Sequence, residues 1–213
     1  MQPRPTILLT GFGPFPSVPA NATSMLIPQL AEAAARRFRS HRVETAILPT
    51  EWVAGPRDAV ELIDAHRPAV AIHFGVSPRS RGFEIESIGR NQRSQTQDAC
   101  GFVPPTGCVI DNGPELLATN LPVARIIARL RRLGIPAHMS RDAGGYLCNA
   151  VLYHSLHAVR HTRRPACNGF VHIPDALVRF KGRRRGAWPC PLDWEQALAG
   201  ALEIVATCVG QPA

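Results

Sequence analysis

A cysteine at the start of a predicted helix is the residue best placed for nucleophilic chemistry. Cys148 follows a predicted strand and a glycine turn in the segment 140–149, which has the sequence SRDAGGYLCN. The amides and the positive dipole end of a helix N-terminus favour a thiolate, which is the nucleophilic form of cysteine. Cysteines in such positions are more often structural than catalytic, so the position alone leaves both interpretations open.

A thiol nucleophile also needs a base within hydrogen-bonding reach and a group that orients this base. Among the eight histidines, His172 is the best candidate because it ends a predicted strand in the segment 169–174, GFVHIP. His154, His157 and His161 share the predicted helix after Cys148 and point along it, away from the thiol. A buried histidine bonded to a backbone carbonyl is the alternative interpretation of His172.

Several carboxylates could orient the histidine. Glu84 and Glu86 are two residues apart in a predicted strand, and this spacing places both side chains on one face of the strand. Asp142 and Asp175 lie closer in sequence to the cysteine and the histidine and stay alternatives. The residues alone therefore do not select the third member of a triad.

Apolar runs alternate with helical patterns along the whole chain, which predicts one layered α/β domain over residues 1–213. The predicted strands cover residues 6–10, 43–48, 69–74, 83–88, 135–140 and 169–173. The predicted helices cover residues 24–39, 55–65, 121–133, 148–161 and 193–209. Between them, the polar segment 92–112 is rich in Gly and Pro and predicts a long loop, and such loops are often functional.

Four segments that are distant in sequence are predicted to meet at one edge of the sheet. Gly11, Gly75, Gly144 and His172 all lie at or just past the carboxyl ends of predicted strands. Ligands of open α/β sheets bind at that edge. We therefore expect the cysteine and histidine segments to share one site.

Composition and charge exclude several classes of protein. The net charge is +8, but Lys181 is the only lysine among 24 basic residues, which indicates a bias of the whole chain towards arginine. The densest cluster, Arg183 to Arg185 near Trp188, has no nucleic-acid motif around it, so no nucleic-acid partner is expected. No apolar run approaches the ~18 residues of a membrane span. The six cysteines lack the short paired spacings of a zinc site, and we expect reduced thiols in a cytoplasmic protein.

Four segments of the chain resemble the pyroglutamyl peptidase I family, also called pyrrolidone carboxyl peptidases. They are TGFGPF at 10–15 with Asn21 and Ser24, Gly75 followed by ESIGRN at 86–91, DAGGYLCN at 142–149, and GFVHIP at 169–174. The glutamate, cysteine and histidine signatures occur in the order of the family, and the resemblance spans about residues 6–176. Four such motifs together are much more specific than any one of them.

The resemblance implies an α/β/α sandwich with a mostly parallel mixed sheet and a catalytic triad of Glu86, Cys148 and His172. It thereby selects Glu86 over Glu84. It also implies cleavage of an N-terminal pyroglutamyl residue from a small peptide through a thioester, without metal or cofactor. The residues predicted to bind the substrate are Phe12, Phe15, Asn21 and Tyr146. Ordinary core packing is the alternative for the two phenylalanines.

The family often forms dimers or tetramers, so a homodimer or homotetramer is predicted, with Trp188 and Trp194 near a suitable interface. Two segments depart from the family pattern. Residues 76–81, VSPRSR, replace a run such as QAGGR, and residues 92–98 lack an aligned arginine. If that arginine stabilises the oxyanion, Arg90 or Arg93 would have to replace it.

Two other functions compete with the peptidase. The first is a divergent cysteine amidohydrolase with the same triad, which acts on another small N-acyl or lactam amide. The second is a non-catalytic basic binding protein that works through its arginine surface. An intact set of Glu86, Cys148 and His172 argues against the second, because a binding protein has no need of that chemistry.

Overall fold

Strands and helices alternate in a computed structural model that describes residues 4–15, 20–162, 165, 167–178 and 190–210. The strands are β1 (Thr6–Phe12), β2 (Arg42–Leu48), β3 (Val70–Ser77), β4 (Phe83–Glu86), β5 (Ile88–Arg90), β6 (Leu116–Ala118), β7 (Ala137–Ser140) and β8 (Cys167–Pro174). The helices are α1 (Ala22–Arg37), α2 (Ala54–His66), α3 (Val123–Arg132), α4 (Leu147–Val159) and α5 (Trp194–Cys208).

The central sheet has six strands in the order β2-β1-β3-β8-β4-β7. Neighbouring strands are parallel except for β4 and β8, which are antiparallel. The predicted mostly parallel mixed sheet is therefore confirmed. The prediction that Gly144 lies at the same sheet edge as His172 because both follow parallel strands was wrong, however. Strand β7 runs antiparallel to β8, so the carboxyl ends of these two strands lie at opposite edges of the sheet. The loop after β7 instead carries this segment to the site.

Helices cover both faces of the sheet, as an α/β/α sandwich requires. Helices α1, α3 and α5 pack together on one face, and α2 and α4 pack on the other. Successive side chains of β1 point to opposite faces of the sheet. Ile7 and Leu9 pack with Leu26 of α1, whereas Leu8 packs with Ile63 of α2. All three β1 side chains are fully buried. Each such burial contributes about 1.5–3 kcal/mol to folding.

Each predicted strand and helix has a counterpart, with ends shifted by a few residues. The exception is the predicted strand 83–88, which is divided at Ser87 into β4 and β5. The amide and the hydroxyl of Ser87 both donate to the Ser140 carbonyl, at 2.8 and 2.7 Å. Strand β5 then leaves the main sheet and pairs with β6, which the sequence analysis did not predict.

Three further predictions concern the surface of the molecule. Over the described ranges, no helix has both the length and the apolar character needed to cross a bilayer. The arginine cluster with Lys181 and Trp188 lies outside the described residues. Trp194 is half-buried, and its indole N–H donates to Gln29 of α1 at 3.0 Å.

Candidate active site

Cys148 is the second residue of α4, where a short loop enters the helix. Gly144 adopts a left-handed backbone conformation with φ 82°, and its amide donates to Asp142 Oδ1 at 3.0 Å. The carbonyl of Gly145 accepts from the amide of Ser94 at 2.6 Å. This turn fixes the helix start, and the amides of a first helical turn have no acceptor within the helix.

The predicted base lies beside the thiol. His172 on β8 is opposite Gly75 on β3, and the Cys148 sulfur lies only 3.0 Å from the position of a Cβ atom built on Gly75. The thiol of Cys148 lies close enough to the His172 ring to raise the pKa of that ring. Cys148 is half-buried, whereas His172 is buried. The structure thus brings together two residues that are 24 positions apart in the sequence.

The partner of His172 on its other side is Glu86. The Nδ1 atom of His172 lies 2.8 Å from Oε1 of Glu86, whose side chain is inaccessible to solvent. Burial alone would lower the pKa of His172, but the charges and hydrogen bonds of Cys148 and Glu86 outweigh it and raise the pKa to about 10. The ring, which lies between Cys148 and Glu86, is therefore positively charged at neutral pH.

Gly75 is required by the close approach of the nucleophile. A Cβ atom at this position would lie 2.7 Å from Phe170 Cζ and 3.0 Å from Cys148 Sγ. We expect Gly75→Ala to lower the free energy of unfolding by about 1–3 kcal/mol, because the packed ring must move. It should also slow alkylation of Cys148. Gly107→Ala is the control, since its nearest neighbour would lie at 3.7 Å. Equal melting temperatures and thiol reactivities in both variants would contradict this expectation.

A cavity of about 430 Å³ opens onto the cysteine and the histidine. The four residues predicted to bind the substrate all line it: Phe12, Phe15, Asn21 and Tyr146. Phe12 is also buried among core side chains, so packing and cavity lining are not exclusive roles. The cavity thus has an aromatic end, which is formed by Phe12, Phe15 and Tyr146.

The aromatic wall is held in place by a residue that the sequence analysis missed. Trp52 packs edge-on against Tyr146, with ring centroids 5.0 Å apart, and Phe15 lies 6.0 Å from the same tyrosine. The Tyr146 hydroxyl donates to the carbonyl of Gln97 at 3.2 Å. The indole of Trp52 donates to Thr96. The long loop therefore fixes both rings, although no local sequence signal points to Trp52.

Asn21 shapes the cavity through the backbone. Its Oδ1 atom accepts from the amide of Thr23 at 3.1 Å and thereby caps α1. Its Nδ2 atom donates to the carbonyl of Gly13 at 3.1 Å. Because both ends of this amide are engaged, Asn21 positions the residues between Phe12 and Phe15.

Two asparagines of the family signatures anchor the long loop. Asn149 accepts from the amide of Arg90 and donates to the carbonyls of Arg90 and Gln92. Asn91 accepts from the amides of Val109 and Ile110 through a single oxygen. Both side chains are thus structural, and Asn149 ties the loop to the helical turn that carries the nucleophile.

Neither arginine proposed as a substitute reaches the cavity. Arg90 donates to the carbonyl of Arg141, and Arg93 donates to the carbonyl of Thr106. Of the arginines that the structure describes, Arg79 lines the cavity, and Val76 lines it as well. Local hydrogen bonds thus hold the guanidinium groups of Arg90 and Arg93 away from the cavity, so neither is positioned to replace the missing arginine.

Among the described residues, Glu84, Glu86 and His172 could offer ligand atoms to a metal ion, since these atoms lie within 4.8 Å of one another. The Nδ1 atom of His172 is already bonded to Glu86. A metal ion on that nitrogen would have to displace its proton. The hydrogen bond instead gives the arrangement of an oriented acid–base group.

Comparisons with known proteins agree with this geometry. The model of the pyroglutamyl peptidase family matches residues 5–204. A pyrrolidone-carboxylate peptidase of Oceanobacillus iheyensis is 32% identical over 79% of this chain and 83% of its own. The human pyroglutamyl-peptidase 1 is 30% identical over 81% of this chain and 80% of its own.

Solved structures give the same result for the fold. An X-ray structure of pyrrolidone carboxyl peptidase from Pyrococcus furiosus has a TM-score of 0.85 and 26% identity. The match covers 96% of this chain and 98% of that one. The order of the motifs, the architecture and the similarity over nearly the whole sequence lead to one conclusion. This chain belongs to the pyroglutamyl peptidase family.

Proposed function

We propose that Cys148, His172 and Glu86 are the catalytic triad of a cysteine peptidase that removes an N-terminal pyroglutamyl residue from peptides. The observation that carries the proposal is the buried Glu86–His172 hydrogen bond beside a thiol that opens into a cavity. This arrangement contains a nucleophile, a base and a group that orients the base. A non-catalytic binding protein would not need it.

The reaction follows from the positions of these groups. The Cys148 thiolate attacks the carbonyl carbon that links pyroglutamate to the next residue. The His172 imidazolium gives its proton to the leaving amine as the C–N bond breaks, which leaves a thioester. Water then attacks the thioester while His172 accepts its proton; the C–S bond breaks, pyroglutamate leaves, and the thiolate and the imidazolium form again. Glu86 keeps the ring oriented and stabilises its positive charge throughout.

Backbone amides supply the stabilisation of the oxyanion. The thiol lies in the first turn of α4, so free amide groups and the positive end of the helix dipole face the developing negative charge. One such donor is worth about 2.7–4 kcal/mol of transition-state stabilisation. This assignment needs no arginine from the segment 92–98.

The aromatic end of the cavity suits the pyroglutamyl ring, which is small, flat and uncharged. Phe12, Phe15 and Tyr146 offer apolar faces to such a ring, and none of them carries a charge at neutral pH. A free N-terminal ammonium group would lose its hydration against these aromatic faces. The same cavity should therefore reject ordinary N-terminal residues.

The direct test is hydrolysis of a fluorogenic pyroglutamyl amide, with the prolyl amide of the same fluorophore as the control. Proline has a similar ring but carries an ammonium group, so we expect its kcat/KM to be at least about 100-fold lower, the loss typical of an unpaired buried charge. Equal turnover of the two amides would contradict the ring assignment. Turnover of a different lactam or N-acyl amide alone would favour the divergent amidohydrolase.

Location and assembly complete the proposal. The six cysteines are all free thiols, which supports a reducing compartment such as the cytoplasm. Assembly into a homodimer or homotetramer stays a prediction from the family resemblance.

A further inference from the structure

The cavity extends beyond the triad into a charged region that the pyroglutamyl ring does not use. Strand order places β1 and its aromatic residues on one side of β8, and β4 on the other. His172 on β8 therefore lies between the aromatic end and the charged end. Glu84 on β4 and Arg79 in the connection from β3 to β4 both line the cavity. The residues that follow pyroglutamate in a substrate have to occupy this end.

Glu84 lies close to the histidine of the proposed triad. It is the cross-strand partner of His172, and its carboxylate lies within 4.8 Å of the ligand atoms of His172 and Glu86. Its Oε1 atom is 3.4 Å from Nε2 of His138, and 14% of the side chain is exposed. Glu84 is thus a partly solvated carboxylate close to His172, the residue proposed to protonate the leaving amine.

Arg79 supplies the opposite charge at the mouth of the cavity. The residue is exposed, and its backbone amide donates to Ser77 Oγ at 3.3 Å, which closes a short turn after β3. Its guanidinium forms no ion pair with any residue that the structure describes. A guanidinium at such a position can pair with a carboxylate through two parallel hydrogen bonds.

We propose that this end of the cavity recognises a single amino acid, with Arg79 on its α-carboxylate and Glu84 beside its nascent ammonium group. The preferred substrates are then pyroglutamyl dipeptides with a free C-terminus, and the leaving product is a zwitterion. This inference rests on the proposed function, and it adds the substrate class. Both residues lie in or beside the segment that departs from the family pattern.

The test compares pyroglutamyl-alanine with pyroglutamyl-alanine amide, which differ only in the terminal carboxylate. We expect wild type to hydrolyse the free acid with a kcat/KM about tenfold higher, the modest factor of one partly exposed charged pair. Arg79→Gln should lower kcat/KM for the free acid and bring the ratio of acid to amide close to one. The matched control is Arg81→Gln, an exposed arginine outside the cavity, which should keep the ratio. A ratio of one in wild type, or an unchanged ratio in Arg79→Gln, would overturn the role of Arg79.

Glu84 has a separate prediction, because the nascent amine is common to both substrates. Glu84→Gln should lower kcat for the acid and the amide by the same factor, about three- to tenfold, and keep their ratio. An unchanged kcat would overturn the role of Glu84.

Failure of the proposed function can be told apart from failure of this inference. Calorimetry on the Cys148→Ala protein measures binding of both compounds without turnover. Tighter binding of the acid that Arg79→Gln removes supports the inference, even if no pyroglutamyl amide is hydrolysed. Equal binding of acid and amide overturns it, even if the peptidase is active.

Discussion

Replacing Cys148 by alanine should lower the hydrolysis of pyroglutamyl amides by about 10⁵–10⁶-fold, the size of effect that follows loss of a catalytic nucleophile. Among the described residues that line the cavity, Cys148 is the only thiol, so the residual rate should come from binding and the oxyanion donors. The half-buried side chain loses one sulfur atom, and the fold should persist. Steady-state kinetics with the fluorogenic amide measures the loss.

Cys108→Ala is the matched control, because Cys108 is an exposed free thiol. It should keep full activity. Limited treatment with iodoacetamide near neutral pH gives an independent measurement: mass mapping should find Cys148 modified well before the other five cysteines, since a thiolate at a helix start is the reactive form. Residual activity of more than a few per cent in Cys148→Ala, or preferential labelling of another cysteine, would exclude Cys148 as the nucleophile.

The second large effect is expected from Glu86→Gln, which should lower kcat by about 10³–10⁴-fold. The neutral amide keeps the size of the side chain but no longer stabilises a charged ring. It can also offer N–H instead of oxygen to Nδ1, which favours the wrong tautomer of His172. Thermal melting checks that the variant is folded, and pre-steady-state kinetics measures the acylation step.

The pH profile separates a role in the triad from a general loss of structure. The pKa of His172 is raised to about 10, so the alkaline limb of kcat/KM should lie near that pH in wild type. Removal of the Glu86 charge lowers the pKa, and the limb should move to lower pH. The same shift affects stability: the contribution of the charged ring is complete below pH 6.5, the value in the unfolded chain, and is lost as the pH rises to about 10.

Glu32→Gln is the control for this substitution, because it removes a carboxylate that is 74% exposed and pairs with Arg36 on the surface of α1. Its activity and pH profile should equal those of wild type. An alkaline limb that stays in place in Glu86→Gln would contradict the electrostatic role of Glu86, whatever the size of the rate loss.

The sequence predicted the triad only with the help of the family motifs. Spacing in β4 placed Glu84 and Glu86 on one face, which the structure bears out, since both approach His172. The choice between them depends on the antiparallel pairing of β4 with β8, a contact between segments 86 positions apart. Local periodicity carries no information on such a pairing, and for the same reason the direction of β7 was predicted wrongly.

Side chains whose partners lie far away in the sequence were also difficult to predict. Trp52 follows a strand with no motif around it, and its role became visible only through its contact with Tyr146. Arg90 and Arg93 were plausible near the oxyanion because of their position in the sequence. Carbonyl acceptors on other segments hold both of them away from the cavity, and no pattern in the sequence marks these acceptors.

The anchoring of the long loop also determines how the peptidase avoids damage to other proteins. Asn91 and Asn149 fix a wall without regular structure, and this wall holds Tyr146 across the aromatic end of the cavity. A cavity that accepts a terminal pyroglutamyl ring, as proposed above, leaves internal peptide bonds and folded surfaces out of reach. The shape of the site then prevents unwanted proteolysis, which endopeptidases avoid through an inactive zymogen or a dedicated inhibitor.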